Sequence, residues 1–372
     1  MKLNHLLDNG AALDLSGQDC ALYAGGISRR EFLRSAGLGT LLASTCLRAQ
    51  TPLLTGTPKG HRIDVHHHIL PPPYMQRARD QILAISDRDH SRLLNWTPAG
   101  AVEEMDKAGI ATAITSLGLP GVWFGGAKAA RSLARSCNEY TAKMAKDYPG
   151  RFGFFAAVPL PDQESSLREA EYALDVLKAD GIGLVSSYEN KWPVDATFAP
   201  LFEELNRRKA VVFIHPAVPG CCDHLMPGIP ASTIEFLFDT TRAITSLLVN
   251  GTFSRFPDIR FMFCHTGGTM PMVAARTAAF VQRHKEIADR LPKGTDFELK
   301  KLYHDVANST NRSSMTALMN LVPTSQILFG TDFPYVPAAV TANGVDQFGL
   351  SPTDLQAINR ENATRLFPRL KG

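Results

Sequence analysis

The chain has 372 residues, 44% apolar and 20% charged, with 39 Lys and Arg against 36 Asp and Glu and a formal net charge of +3. That composition is ordinary for a globular protein and excludes a disordered or collagen-like chain and a small disulfide scaffold. Charge this balanced, with no dense Lys/Arg stripe, leaves no nucleic-acid footprint, and no apolar stretch reaches the ~18–20 residues of a membrane span.

Residues 1–49 read as a leader rather than as fold. Ser28-Arg29-Arg30-Glu31-Phe32-Leu33 is followed by a short, weakly apolar run over 36–45 and then by Arg48. A basic region, a short apolar region and small residues in that order are the plan of a secretory signal. The paired arginines before Phe-Leu resemble a twin-arginine (Tat) address. The expected consequence is recognition by the Tat export machinery and a periplasmic or secreted protein. If 28–48 form only an amphipathic helix, the protein stays in the cytoplasm. Cys20 and Cys46 fall in the leader, so the mature chain keeps Cys137, Cys221, Cys222 and Cys264, without CxxC metal spacing. Cys221 and Cys222 are either two thiols or a vicinal disulfide, and Cys264, inside an apolar run, reads as a small core residue.

Beyond the leader, short β-branched or aromatic runs alternate with helix-period segments. The pattern predicts strands over 62–66, 111–116, 152–158, 181–186, 211–215, 259–265, 302–306 and 326–331. It predicts helices over 98–108, 128–147, 164–177, 198–208, 234–250, 271–290, 313–321 and 353–366. The first of these helices has Thr97 to cap it, Pro98 at its first position and Gly109 past its end. Strand–helix alternation predicts an α/β fold with a parallel sheet, and eight such units predict a single (β/α)8 TIM barrel over about 58–370. An open doubly wound sheet is the alternative, but no Gly-x-Gly-x-x-Gly turn follows the first strand.

Barrel active sites collect at the C-terminal ends of the strands. The first strand ends His66-His67-His68; alternate residues share a side, so His66 and His68 project together and His67 points away. Other apolar runs stop at His215, His265 and Asp332. One such residue is no more than a solvated strand end. Four strands of eight ending in metal-ligand side chains point to a metal site.

The motifs Ile63-Asp64-Val65-His66-His67-His68-Ile69-Leu70-Pro71, Val212-Phe213-Ile214-His215-Pro216, Phe256-Pro257, His265-Thr266-Gly267-Gly268 and Gly330-Thr331-Asp332-Phe333-Pro334 together resemble the amidohydrolase superfamily. The resemblance lies in the branch of aminocarboxymuconate semialdehyde decarboxylase, which also holds γ-resorcylate, 5-carboxyvanillate and 6-methylsalicylate decarboxylases, and it spans nearly all of 61–368. It implies that His66, His68, His215 and Asp332 ligate one divalent ion, zinc first and manganese second, with His265 as the acid/base group. The fourth strand ends Gly183-Leu184-Val185-Ser186-Ser187, without the Lys that binuclear members carbamylate, which favours a single ion.

The resemblance also implies a homodimer in which Arg276 reaches the neighbouring subunit's site and binds the substrate carboxylate; a surface arginine is the competing reading. Trp123 and Phe124, in the loop after the second strand, are candidates to stack on an aromatic ring, as are Tyr74, Phe333 and Tyr335; core packing competes for each. The implied activity is decarboxylation of an aromatic or unsaturated carboxylic acid without an organic cofactor. Its proton comes either from a water helped by His265 or from Asp332. A hydrolase of a lactone, ester or amide on the same barrel is the alternative, and a non-catalytic metal-binding protein is a third.

Overall fold

The computed structural model describes residues 61–85, 90–222 and 225–371; the leader, with Cys20 and Cys46, lies outside them. Eight strands form one sheet in sequence order: β1 (Arg62–His68), β2 (Ile110–Ser116), β3 (Phe152–Ala157), β4 (Gly181–Val185), β5 (Val211–His215), β6 (Arg260–Phe263), β7 (Tyr303–Asp305) and β8 (Ile327–Leu328). Every ladder between neighbours is parallel. Beyond β8 the chain returns to β1: Val65 N donates to Phe329 O at 3.0 Å and Asp332 N donates to His66 O at 2.8 Å. The sheet thus curls into a nearly closed (β/α)8 barrel.

The main helices are α1 (Pro72–Ala84), α2 (Pro98–Lys107), α3 (Ala127–Asp147), α4 (Gln163–Asp175), α5 (Ala199–Arg207), α6 (Ala231–Val249), α7 (Met270–Arg283), α8 (Arg312–Leu321) and α9 (Ala338–Gln347). Thr97 caps α2 as its sequence predicts, its side chain accepting from Gly100 N at 3.0 Å. Asp162 and Asn311 cap α4 and α8 in the same way. The helix expected over 271–290 stops at Arg283, because His284 takes extended dihedrals and turns its ring onto Phe280, 4.3 Å away. The segment expected as one helix over 353–366 passes through a π turn at Ala357–Glu361.

Two apolar layers hold the barrel. Outward-facing residues such as Phe154, Val212, Ile214 and Phe263 pack against the helices. Ile63, Val65, Phe155, Phe213, Met262 and Leu328 fill the interior, and Leu366 and Phe367 pack against that inner cluster. Cys264 sits in it as a fully buried free thiol. Cys221 and Cys222 are also free thiols, with sulfur atoms 2.8 Å apart. Among the described residues, no helix is long and apolar enough to cross a membrane.

The β1–β2 register shifts between Asp64 and His67. This irregularity resets the alternation of β1. Ile63 faces the interior before it, Val65 and His66 lie within it and both reach the interior, and His68 does so after it, at the end where β5, β6 and β8 also stop.

Candidate metal centre

His66, His68, His215, His265 and Asp332 converge at the C-terminal mouth of the barrel. His66 Nε2 lies 3.0 Å from His68 Nε2, and Asp332 Oδ1 lies 3.5 Å from the first and 3.2 Å from the second. The donor atoms of His66, His215, His265 and Asp332 all lie within 4.8 Å of one another. The His215 ring centroid is 5.3 Å from that of His66 and 4.9 Å from that of His68.

The backs of the rings decide what the fronts can do. His66 Nδ1 donates to Asp305 Oδ2 at 2.9 Å, and His215 Nδ1 donates to the Pro216 carbonyl at 2.9 Å. His68 Nδ1 faces Ser116 Oγ at 3.3 Å. In a neutral imidazole with a proton on Nδ1, Nε2 carries a lone pair. His66 and His215 therefore aim such lone pairs, with the Asp332 carboxylate, at one small volume, and His68 adds a third when its proton sits on Nδ1, facing Ser116 Oγ. In that tautomer nothing in the set donates into it, and the arrangement fits a divalent cation.

The electrostatics agree. Burial pushes His66 and His215 well below the ordinary imidazole range, and their histidine neighbours add to the effect. Burial opposes ionisation of Asp332, but the hydrogen bond from His68 and the nearby imidazoles outweigh it and hold the carboxyl below its usual value. Neutral imidazoles and an ionised carboxylate are the protonation states in which these groups bind metal.

His67 behaves as its alternation predicts. It turns away from the cluster, Nδ1 donating to Asp64 Oδ2 at 2.9 Å, and Asp64 also accepts from Thr331 N and Oγ1. His265 follows β6 with φ of 53°, and Asp332 follows β8 with φ of 65°. Left-handed backbone at two non-glycine residues costs energy, and its presence beside the cluster is typical of functional geometry. The Nε2 of His265 is buried without a hydrogen-bond partner, 3.8 Å from Asp332 Oδ2.

Asp305, at the end of β7, is a member that the sequence reading passed over. It supports His66 and also accepts from His265 N and Ala307 N, at 3.0 Å each. Its burial raises its pKa to about 6. The signal that marked the other strand ends is missing here, because Lys301-Leu302-Tyr303-His304 before Asp305 is not an apolar run.

A polar cavity of about 310 Å³ opens onto His215, His265 and Asp332, with Asn308, Ser314 and Tyr335 among its walls. A second, more apolar cavity of about 550 Å³ adjoins it, sharing Leu119, His215, Ser232 and Phe236. Trp123 lines the second cavity and donates from Nε1 to Glu189 at 2.7 Å. Phe124 lines neither cavity; its ring lies under the Arg77 guanidinium at 4.1 Å. Tyr74 is buried and ties the loop after β2, donating to Gly118 O at 2.7 Å. Phe333 packs on His67, and Tyr335 stands edge-on to His68. Arg276 is on the exposed face of α7 and lines neither cavity.

Known proteins resemble this chain along most of its length. The chain is 36% identical over 329 residues to decarboxylase yanB of Aspergillus niger, covering 83% of this chain and 88% of the relative. It is 32% identical to a 6-methylsalicylic acid decarboxylase of Penicillium expansum, covering 84% and 97%. Its fold matches the crystal structure of a dihydroxybenzoic acid decarboxylase from a Polaromonas species, solved with manganese and 2-nitroresorcinol, at a TM-score of 0.73 and 22% identity, covering 84% and 98%. The Amidohydrolase family profile matches residues 63–369, a span that holds the barrel and every ligand-type side chain at its mouth, and the chain belongs to that family.

Proposed function

We propose that this protein is a metal-dependent decarboxylase of an aromatic carboxylic acid, of the salicylate type, that works without an organic cofactor. The observation that carries the reading is the set of three imidazoles, each with Nδ1 engaged, whose Nε2 atoms share one volume with the Asp332 carboxylate. His66, His68, His215 and Asp332 would hold the ion. This donor set suits zinc and manganese alike, and the manganese-bound protein of the same fold supports testing both. When bound, the ion supplies a positive centre that attracts the substrate's carboxylate and stabilises negative charge as the bond breaks.

The protein's own groups handle the proton. Decarboxylation adds a proton to the ring carbon that bears the carboxylate; the bond to that group then breaks, its electron pair stays on the ring, and CO₂ leaves. Asp332 is held ionised, so it must receive a proton before it can give one. His265, with an unpartnered Nε2 beside it, is placed to deliver that proton or to pass it to the ring directly. Asn308 and Ser314 offer polar contacts for the substrate's oxygens.

The deciding experiment uses protein loaded with zinc or manganese and 6-methylsalicylate. One CO₂ and one 3-methylphenol per acid consumed support the reading. Hydrolysis of lactones or esters without CO₂ from any aromatic acid would replace it with a hydrolase.

Two further parts of the reading concern the whole protein. Arg276, exposed on α7, is proposed to serve the carboxylate in a partner's site of a homodimer. The Arg29-Arg30 leader is proposed to export the folded protein by the Tat route, and changing both arginines to Lys should leave it in the cytoplasm.

A further inference from the structure

Resting on the decarboxylase reading, we propose that the natural substrate is an aromatic acid with an apolar substituent much larger than methyl, an alkyl chain, held in the apolar cavity between β2, β3 and β4. The polar cavity at the ion-binding cluster has about 310 Å³, already within the ~300–1,000 Å³ range of small-molecule sites. That volume is enough for a monocyclic hydroxybenzoate with one methyl group. The adjoining cavity adds about 550 Å³ that such an acid leaves unused.

The walls of this second cavity state what it accepts. They are mostly apolar, and Phe155, Ala157 and Phe213 face into it from β3 and β5. Among the described residues no Lys or Arg lines it, so none of them offers a counter-charge to a second carboxylate or a phosphate. Among the described residues the single carboxylate on its wall is Glu189, which is exposed and already accepts from Trp123. On β4 the inward positions are Gly181, Gly183 and Val185, and the missing side chain at Gly183 is part of what opens the space. His215 lines both cavities, which places the junction at the ion-binding cluster. An acid with its carboxylate at the cluster can therefore extend an apolar tail from the ring into the larger space without leaving the barrel mouth.

The test is a series of 6-methyl-, 6-propyl- and 6-pentylsalicylate with the metal-loaded enzyme, alongside titration calorimetry with the matching 3-alkylphenols. Each buried methylene contributes about fourfold in affinity (~0.8 kcal/mol). The step from methyl to propyl should thus lower KM, and the Kd of the phenol, about tenfold, with kcat little changed because the tail is bound equally before and during the reaction. Gly183→Val should remove that gain. A Cβ there would meet Phe155 Cβ at 3.4 Å, an ordinary contact, so the backbone tolerates it. Ala157→Leu fills the same space from β3 and serves if the first variant melts early or loses its ion. In both, the ratio of pentyl to methyl kcat/KM should fall at least tenfold.

A flat series in the wild-type protein, or a gain that survives both fillings, overturns the inference while leaving decarboxylation intact. Absence of CO₂ from every acid overturns the decarboxylase reading instead. In that case the alkylphenol affinities still decide whether the cavity takes an apolar tail.

Discussion

His66 and His67 are adjacent, fully buried and chemically identical, yet the fold gives them opposite tasks. His66 turns Nε2 into the cluster, whereas His67 is spent on Asp64. His66→Ala and Asp332→Ala should each lose both the bound ion and turnover, as metal analysis and CO₂ release will report. His67→Ala should keep the ion but lower stability by ~2–4 kcal/mol, through the cavity it leaves and the weakened partnership of Asp64. Loss of the ion in His67→Ala, with the fold retained, would overturn this division. His265 calls for a paired measurement. Retained metal with kcat lowered by roughly 10²–10⁴ is expected for His265→Ala if it moves the proton. Lost metal would make it a ligand, an outcome its distance to the cluster makes meaningful.

The strands carry this chemistry because of what lies beside them. Gly330 is the inward residue between Leu328 and Asp332, and a Cβ there would fall 2.8 Å from His66 Cβ and 3.0 Å from Asp305 Cβ. Gly330→Ala should therefore displace a ligand and its supporting carboxylate together. We expect ~1–3 kcal/mol of lost stability from overpacking and weaker metal binding in a competition titration with a chelator. At this scale the sequence was most legible where period and punctuation agreed. All eight strands were located, and α2 began where Thr97 and Pro98 place it. It was least legible at α1 and α9, which are not among the expected helices. Pro71-Pro72-Pro73 looks like a break, yet two of those prolines occupy the opening of α1, where a missing N–H costs nothing. Asn343-Gly344 looks like a turn inside α9, but Gly344 is there because Thr310 packs against it with no room for a Cβ. Asp305 was missed for another reason. It serves through His66, and only the tertiary contact reveals that.

The whole barrel also carries a pH signature apart from catalysis. His304 is fully buried between β6 and β8, neither ring nitrogen has a hydrogen-bond partner, and burial lowers its pKa to about 3. Its ordinary value is ~6.5, so the unfolded chain takes up the proton first. The stability is complete above about pH 6.5 and is lost progressively as pH falls toward 3. At pH 4 the loss from this one group is ~3 kcal/mol. Urea midpoints at pH 7 and pH 4 should separate more widely in the wild-type protein than in His304→Leu. Equal separations would show that the ring is protonated without cost in the folded state.

The ligand-type side chains come from β1, β5 and the turns after β6 and β8, whereas the apolar cavity is walled chiefly by β2, β3, β4 and the loops that follow them. Selection can therefore act on one half of the barrel without disturbing the other. A change at Ala157 or Gly183 alters which acid fits, while the groups that hold the ion keep their places. Positions on β3 and β4 thus give a handle on specificity that is separate from the groups that hold the ion.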